Sequence, residues 1–236
     1  MKKTIGILGG MGPEATEYIF GLIIKNTKVE IDQNHIPLII YSNPKVPPRT
    51  DAILGTGPSP TPYLVEGIKV LKQAGADFMI MPCVTAHFFI ADALSEVPIP
   101  FISLLDESLT WAQDHIPALK KVGLVSSTGT LISGLFHETY KNAGIEVFGP
   151  ADEEQKLVMD AIFGKKGIKA GFTSGYAKET IVNAARILAG RGAEAIVAGC
   201  TEVPLVLKEE DIPVPFIEPM KIVALASIRE AGYEIK

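Results

Sequence analysis

The sequence predicts an α/β fold of two pseudo-symmetric lobes, each a four-stranded parallel sheet flanked by helices, with the active site between the lobes. Short apolar runs alternate with helical stretches along the whole chain, which is the pattern of parallel strands covered by helices on both faces. The second half of the chain also repeats the first at an offset of 117 residues. A repeat of that length indicates a duplicated domain rather than a solenoid.

Apolar runs between turn residues mark the strands. They cover residues 4–9, 36–41, 77–82 and 99–102 in the first half, and 121–126, 145–148, 195–199 and 214–217 in the second. Helices are expected at residues 14–27, 60–74, 106–116, 130–142, 174–190 and 219–231. Prolines at a first helical turn and glycines just past a helix end support these bounds, namely Pro62, Pro219, Gly75 and Gly192. Ser174 or Thr173 is expected to cap the helix that follows it.

Three pairs of segments carry the repeat. Residues 3–8 match 120–125, residues 71–77 match 188–194, and with a two-residue slip residues 98–102 match 213–217. From these matches we expect an N-terminal lobe of residues 1–103 plus 218–236 and a C-terminal lobe of residues 104–217.

Length and charge narrow the class of protein. A chain of 236 residues with 47% hydrophobic and 21% charged residues fits one large or two small well-packed domains. The net charge of -5 argues against nucleic-acid binding, which needs a basic face. The apolar start is short and gives way to a glycine-rich turn at residues 9–12. We therefore expect no signal peptide, no membrane span and a cytoplasmic location.

The only two cysteines, Cys83 and Cys200, occupy matching places in the repeat. Each follows an apolar strand, and the carboxyl ends of such strands are where α/β sheets bind ligands. The cytoplasm keeps thiols reduced, so a disulfide is not expected. A lone cysteine is usually a small core residue, but the paired positions favour a catalytic role. A helix is expected after each cysteine, and its N-terminus would lower the pKa of the thiol.

Two thiols presented to one substrate suit the inversion of a carbon centre. One base must remove a proton from one face while an acid delivers a proton to the other, and the two roles exchange with the direction of reaction. This chemistry needs no cofactor, but donors must stabilise the charge that builds on the substrate. The loop-rich residues 46–60 follow the second strand, so they belong to this ligand-binding edge or form a plain surface connection.

The sequence gives little support for a dinucleotide-binding site or a metal site. Residues 10–15 fit a loose dinucleotide-binding pattern, but the acidic residue expected after the second strand is missing. The four histidines are scattered without ligand spacing, so no metal site is expected. One of them, His87, either supports Cys83 or is simply packed.

The motifs around these features resemble those of the aspartate/glutamate racemase family, and within it the aspartate racemase branch. That branch carries three motifs. The first is Gly-Gly-Met-Gly-Pro, which follows the first strand, and the other two are Pro-Cys-Asn-Thr-Ala-His and Gly-Cys-Thr-Glu-Ile-Pro. Residues 9–13, 82–87 and 199–204 correspond to these three motifs. The resemblance implies a cofactor-independent two-base racemase, usually a homodimer, whose small-molecule substrate is an amino acid, expected to be a dicarboxylic one.

The resemblance also implies roles for individual residues. Cys83 and Cys200 would be the acid–base pair, and Arg49 and Lys169 would bind the two carboxylates of the substrate, with Lys165 and Lys166 as close competitors of Lys169. The remaining pocket residues would be Met11, Gly12, Val84, Thr85, Thr201 and Glu202. Glu202 would orient or deprotonate Cys200, or else only satisfy a helix dipole.

Two departures from the family pattern leave the substrate open. Val84 stands where the family has asparagine, so a polar contact is lost, and Glu218 stands where aspartate is common. The glycine-rich turn at residues 9–12 lacks the Asp-Ser-Gly of the glutamate racemase branch, which favours aspartate over glutamate. The alternatives are a broad-specificity or glutamate-type racemase, or an inactive relative that only binds ligand.

Overall fold

The computed structural model describes residues 2–236, which form an α/β protein of two compact units. The first unit comprises residues 2–107 and 220–236, and the second is Ser108–Pro219. Within residues 2–236, no helix is both long and apolar enough to cross a membrane.

The first unit alternates strands and helices. Its elements are β1 (Ile5–Gly9), α1 (Pro13–Asn26), β2 (Leu38–Ser42), α2 (Arg49–Ile53), α3 (Thr61–Gln73), β3 (Phe78–Ile80), α4 (Ile90–Glu96) and the start of α5 (Leu104–His115), with short 3-10 helices at Asp32–Asn34 and Thr85–Phe89.

The second unit has the same alternation. Its elements are β4 (Lys121–Val125), α6 (Thr128–Ser133), α7 (Leu135–Lys141), β5 (Glu146–Phe148), α8 (Asp152–Phe163), α9 (Tyr176–Gly190), β6 (Ala195–Ala198) and β7 (Phe216–Ile217), with short 3-10 helices at Ile168–Ala170, Val203–Leu205 and Glu209–Asp211. The chain returns to the first unit in α10 (Pro219–Glu230).

Three strands of each sheet share the same topology, as the predicted duplication requires. All strands pair in parallel, in the order β2-β1-β3 in the first unit and β5-β4-β6-β7 in the second. Ile5 pairs with Phe78 and Val122 pairs with Ala195, so this register is conserved at the offset of 117 residues seen in the sequence. The predicted α/β fold class is confirmed.

The same close packing recurs beneath both central strands. A Cβ added at Gly6 would lie 3.3 Å from the Leu71 side chain, and one added at Gly123 would lie 2.8 Å from the Leu188 side chain. Leu71 belongs to α3 and Leu188 to α9. Because these helices approach the strand backbone this closely, a larger residue at either glycine would push helix and strand apart.

The fourth strand of the first unit is shorter than predicted. Residues 99–102 form only a single parallel bridge, between Phe101 and Met79, so the first sheet has three strands and the second has four. Pro98 and Pro100 lack the N–H group that a longer ladder would need. The corresponding β7 pairs through only two residues, Phe216 and Ile217.

Several helix predictions need correction. The predicted helix 130–142 is split by Gly134, which adopts a left-handed conformation with φ of 69°. Helix α9 begins after Gly175 without a side-chain cap, so neither Ser174 nor Thr173 caps it. Helices α4 and α8 were not predicted, and part of the predicted loop 46–60 is the short helix α2.

Candidate active-site residues of the two units

The turn after β1 packs closely against the segment after β2. Gly10 has φ of +91°, and a Cβ at this position would lie 2.3 Å from the backbone nitrogen of Asn43. Met11 in this turn is buried, and Gly12 is the N-cap residue of α1. The first unit therefore holds these two predicted pocket residues in a turn that only glycine at position 10 permits.

Arg49, the first residue of α2, joins the segment after β2 to the turn after β1. Its guanidinium donates hydrogen bonds to the carbonyl oxygens of Val46 (3.1 Å), Pro47 (2.9 Å) and Met11 (3.2 Å). Its Nε atom is buried and has no hydrogen-bond partner among residues 2–236. The arginine predicted to bind a substrate carboxylate is thus engaged with backbone carbonyls, and only part of its donor set remains for a ligand.

Cys83 lies in a buried turn directly beyond β3. Its Sγ atom is 3.5 Å from the Thr85 hydroxyl oxygen, and either atom can donate the hydrogen bond. Val84, between these two residues, is buried and presents an apolar side chain. The predicted residues Cys83, Val84 and Thr85 therefore form one short segment that leads into the 3-10 helix Thr85–Phe89.

His87 is hydrogen-bonded to the backbone of this turn. The Leu104 N–H donates to Nε2 of His87 (3.3 Å), so Nε2 is the acceptor and the imidazole proton resides on Nδ1. Nδ1 then donates to the carbonyl oxygen of Cys83 (2.8 Å). Burial lowers the pKa of His87 to about 4, although the hydrogen bond to Cys83 and the charge of Asp106 raise it. His87 is therefore neutral at physiological pH.

Cys200 lies beyond β6 in the second unit and contacts a carboxylate. Its Sγ atom donates a hydrogen bond of 2.9 Å to Oε2 of Glu202. The hydroxyl of Thr201 donates to the same oxygen at 3.3 Å. The Glu202 side chain is 2% exposed, so this carboxylate is held almost entirely away from water.

Lys169 compensates the buried charge of Glu202. Its Nζ atom forms an ion pair and a hydrogen bond with Oε1 of Glu202. Nζ also lies 5.4 Å from the ring centroid of Phe163. Residues Lys169, Glu202 and Cys200 therefore form a continuous chain of cation, carboxylate and thiol within the second unit, and the lysine predicted to bind substrate has an internal anionic partner.

The environment of Cys200 keeps its thiol protonated. Burial raises the pKa of the Cys200 thiol well above its usual range, the charge of Glu202 raises it further, and Lys169 lowers it. The expectation that a helix N-terminus lowers the pKa of both thiols is wrong for Cys200. The segment after it forms only the three-residue 3-10 helix Val203–Leu205, and so short a helix has little dipole to oppose burial and a neighbouring carboxylate.

Thr85 and Glu202 occupy equivalent positions in the repeat. Each lies two residues after its cysteine, and each places an oxygen atom at hydrogen-bonding distance from the sulfur. The oxygen is neutral in the first unit and belongs to a carboxylate in the second. The duplication has therefore kept the position of this contact and changed its charge.

The loop after β4 holds polar residues that the sequence analysis missed. The Gln155 amide donates to the Ser126 carbonyl (3.0 Å) and to the Thr128 hydroxyl (3.2 Å), and Ser127 caps α6. Residues 126–129 match the glycine-rich turn 9–12 at the offset of 117, so the repeat could have indicated this loop. Gln155 lies on α8, which carries no sequence signal that links it to the loop.

Among residues 2–236, no group of three or more histidine, cysteine, aspartate or glutamate side chains is placed to hold a metal ion.

Comparisons with known proteins identify the family. A family model described as Asp/Glu/Hydantoin racemase matches residues 8–226. The chain resembles the structure of an aspartate racemase from Picrophilus torridus, with a TM-score of 0.86 and 30% identity over 99% of this chain and 96% of that one. It also resembles an aspartate racemase homologue from Pyrococcus horikoshii OT3, with a TM-score of 0.77 and 28% identity over 98% and 100% of the two chains.

A relative of different specificity is also similar. The broad specificity amino-acid racemase of Bacillus subtilis is 24% identical over 95% of this chain and 96% of its own length. These matches extend over nearly the whole sequence. The chain belongs to the Asp/Glu/hydantoin racemase family.

Proposed function

We propose that the protein is a cofactor-independent amino acid racemase that inverts Cα with Cys83 and Cys200 as its two acid–base groups. The observation that supports this proposal most strongly is the equivalence of the two thiols. Each follows the corresponding strand of a duplicated sheet, and each has an oxygen-bearing side chain two residues further on at hydrogen-bonding distance. A two-base inversion needs such a pair of similar groups.

In one direction of the proposed reaction, Cys83 removes the Cα proton and Cys200 delivers its thiol proton to the opposite face. Cys83 starts this step as a thiolate and ends it as a thiol, the Cα–H bond breaks while a new one forms on the opposite face, and Cys200 is left as a thiolate. The reverse reaction exchanges the roles. The protonated state favoured for Cys200 in the free protein suits it to act as the acid in the first of these directions.

Glu202 is the proposed proton partner of Cys200. Because its Oε2 accepts the thiol hydrogen bond, it is placed to orient the S–H group and to take up or return a proton between turnovers. Lys169 balances the charge of Glu202 and stabilises the Cys200 thiolate by charge when it forms. Thr85 would serve as the neutral hydrogen-bond partner of Cys83.

Aspartate is the proposed substrate, since the aspartate racemase of Picrophilus torridus is 30% identical. Arg49 and Lys169 would bind its carboxylates, with Met11, Gly12, Val84 and Thr201 as the other pocket residues. Both cations have internal partners, the backbone carbonyls for Arg49 and Glu202 for Lys169. Because a carboxylate must compete with these partners, the contacts favour a broad-specificity racemase as the second candidate.

We also propose, by resemblance to the family, that the protein is a cytoplasmic homodimer. Analytical ultracentrifugation of the full chain tests the oligomeric state.

The test of the proposed function is proton exchange in heavy water without added pyridoxal phosphate. A panel of single-enantiomer amino acids, with aspartate, glutamate and several neutral ones, is incubated with the protein and analysed by chiral chromatography and mass spectrometry. We expect both enantiomers to form with deuterium at Cα. Cys83→Ser and Cys200→Ser are each expected to abolish racemisation and to retain at most the exchange of one enantiomer. Normal racemisation by both variants would contradict the two-thiol mechanism.

The same experiment separates an enzyme from an inactive relative that only binds ligand, a role that the apolar Val84 would favour. Such a relative would show no deuterium incorporation with any amino acid but would still be stabilised against thermal unfolding by its ligand.

A further inference from the structure

His87 is a second polar group associated with Cys83, and the proposed chemistry does not use it. It is buried, with 6% of its surface exposed, and its ring packs against Phe101 with centroids 5.3 Å apart. Both ring nitrogens are satisfied by backbone groups, the carbonyl of Cys83 and the N–H of Leu104. No lone pair or proton of the ring is left for a substrate.

These two hydrogen bonds join segments that are distant in sequence. One partner is the turn that carries the thiol, directly beyond β3. The other is Leu104, the first residue of α5. Leu104 comes three residues after Phe101, which forms a bridge to Met79 in β3. The imidazole therefore fixes the peptide carbonyl of Cys83 relative to a helix whose first residue is fully buried.

The second unit lacks this arrangement. The position equivalent to His87 at the offset of 117 is Pro204, which has no side-chain hydrogen-bonding group. In the second unit the Cys200 carbonyl instead accepts a hydrogen bond from Val203 N–H at 3.0 Å. The histidine contact is thus specific to the turn whose thiol lacks a carboxylate partner.

We propose that His87 is a positioning residue for Cys83: as a neutral imidazole protonated on Nδ1, it holds the Cys83 backbone at the geometry from which the thiol reacts. This inference rests on the proposed function, because it assumes that Cys83 transfers a proton. Proton transfer requires the reacting atoms at about 3–3.5 Å, and a misplacement of about 1 Å costs on the order of a hundredfold in rate. Fixing the carbonyl of the same residue restricts the direction in which its sulfur points.

Two substitutions separate the two hydrogen bonds. The amide nitrogen of His87→Asn occupies nearly the place of Nδ1, so this variant keeps the donor to the Cys83 carbonyl and loses the acceptor for Leu104. The amide of His87→Gln reaches nearly the place of Nε2, so this variant keeps an acceptor for Leu104 and loses the donor to Cys83. His115→Gln is the matched control, because Nδ1 of His115 also contacts a carbonyl four residues earlier, that of Trp111, but at an exposed site.

The measurements are kcat, KM, the midpoint of thermal unfolding, and the ratio of iodoacetamide alkylation at Cys83 to that at Cys200, read by peptide mass spectrometry. For His87→Gln we expect kcat to fall about tenfold to a hundredfold with KM within about threefold, and the alkylation ratio to change. His87→Asn is expected to lower the unfolding midpoint while kcat stays within about threefold of the parent protein. His115→Gln should change none of these quantities.

Opposite results overturn the proposal. His87 would be only a packing residue if His87→Gln kept a normal kcat and a normal alkylation ratio. The same conclusion would follow if both variants lost kcat only in proportion to their loss of stability. If His87→Gln does not fold, the result for His87→Asn alone tests the proposal. This variant keeps the hydrogen bond to the Cys83 carbonyl, so a loss of kcat greater than about tenfold would show that this hydrogen bond is not sufficient to position Cys83 and would overturn the proposal. If the parent protein racemises no amino acid, the proposed function fails, and the alkylation ratio still tests the effect of His87 on Cys83.

Discussion

Cys200 donates a hydrogen bond of 2.9 Å to a Glu202 carboxylate that is 2% exposed. At the equivalent place in the first unit, the sulfur of Cys83 meets the hydroxyl of Thr85 at 3.5 Å. A carboxylate opposes ionisation of a neighbouring thiol, whereas a hydroxyl carries no charge. The two thiols are therefore equivalent in the fold but different in their electrostatic surroundings.

Glu202→Gln should make Cys200 more reactive and the enzyme slower. Removing the carboxylate removes two causes that raise the pKa of the Cys200 thiol, while Lys169, which lowers it, remains. Alkylation of Cys200 by iodoacetamide near neutral pH should therefore become faster. We expect kcat for racemisation to fall about tenfold or more, because the proton partner of the thiol is lost.

Lys169→Met should have the opposite effect on the thiol, because it removes the cation that lowers the pKa of Cys200. Slower alkylation of Cys200 is expected in this variant. Glu153→Gln is the control for Glu202→Gln, since it neutralises an exposed glutamate that forms an ion pair with Lys156 on the surface. Equal alkylation rates in Glu202→Gln and the parent protein would contradict the assigned role of the carboxylate.

Arg49→Lys tests whether this arginine braces the fold or only binds substrate. An ammonium group cannot reproduce the planar fork that reaches the carbonyls of Val46, Pro47 and Met11. We expect the free energy of unfolding in urea to fall by about 1–2 kcal/mol. Arg186→Lys is the control, because Arg186 donates to one carbonyl, that of Asp211, at an exposed site. An unchanged stability with a raised KM would instead support a substrate-binding role alone.

The duplication explains how much of this arrangement the sequence could predict. The offset that aligns Cys83 with Cys200 also aligns the strand registers of Ile5 and Val122, so the positions of both thiols in their sheets were predictable. The contact of Lys169 with Glu202 was not, because it joins residues 33 positions apart through a short 3-10 helix that lacks a periodic signal. Such a contact depends on tertiary packing, which local patterns do not encode.

Gly10→Ala should destabilise the first unit strongly. The backbone has φ of +91°, and the new Cβ would lie 2.3 Å from the backbone nitrogen of Asn43, so the turn that holds Met11 would have to move. We expect a loss of about 3 kcal/mol in the free energy of unfolding in urea. Gly21→Ala in α1 is the matched control, because a Cβ added there would meet no atom within 4 Å outside the backbone of its own helix and its chain neighbours, and it should stabilise by about 0.5–1 kcal/mol. Equal effects of the two substitutions would contradict the close approach at Gly10.

The stability of the protein should fall in acid partly because of His87. Burial lowers the pKa of His87 from 6.5 to about 4 in the folded protein, against the opposing charge of Asp106. Between these two values the unfolded chain binds more protons, so this contribution to stability is complete above pH 6.5 and is lost as the pH falls toward 4. The shift corresponds to about 3 kcal/mol.

Urea unfolding of the parent protein and of His87→Gln from about pH 7 to about pH 4 measures this contribution of His87 to stability, and we expect the variant to lose less stability by roughly that amount. The same pH dependence in both proteins would mean that another group is responsible.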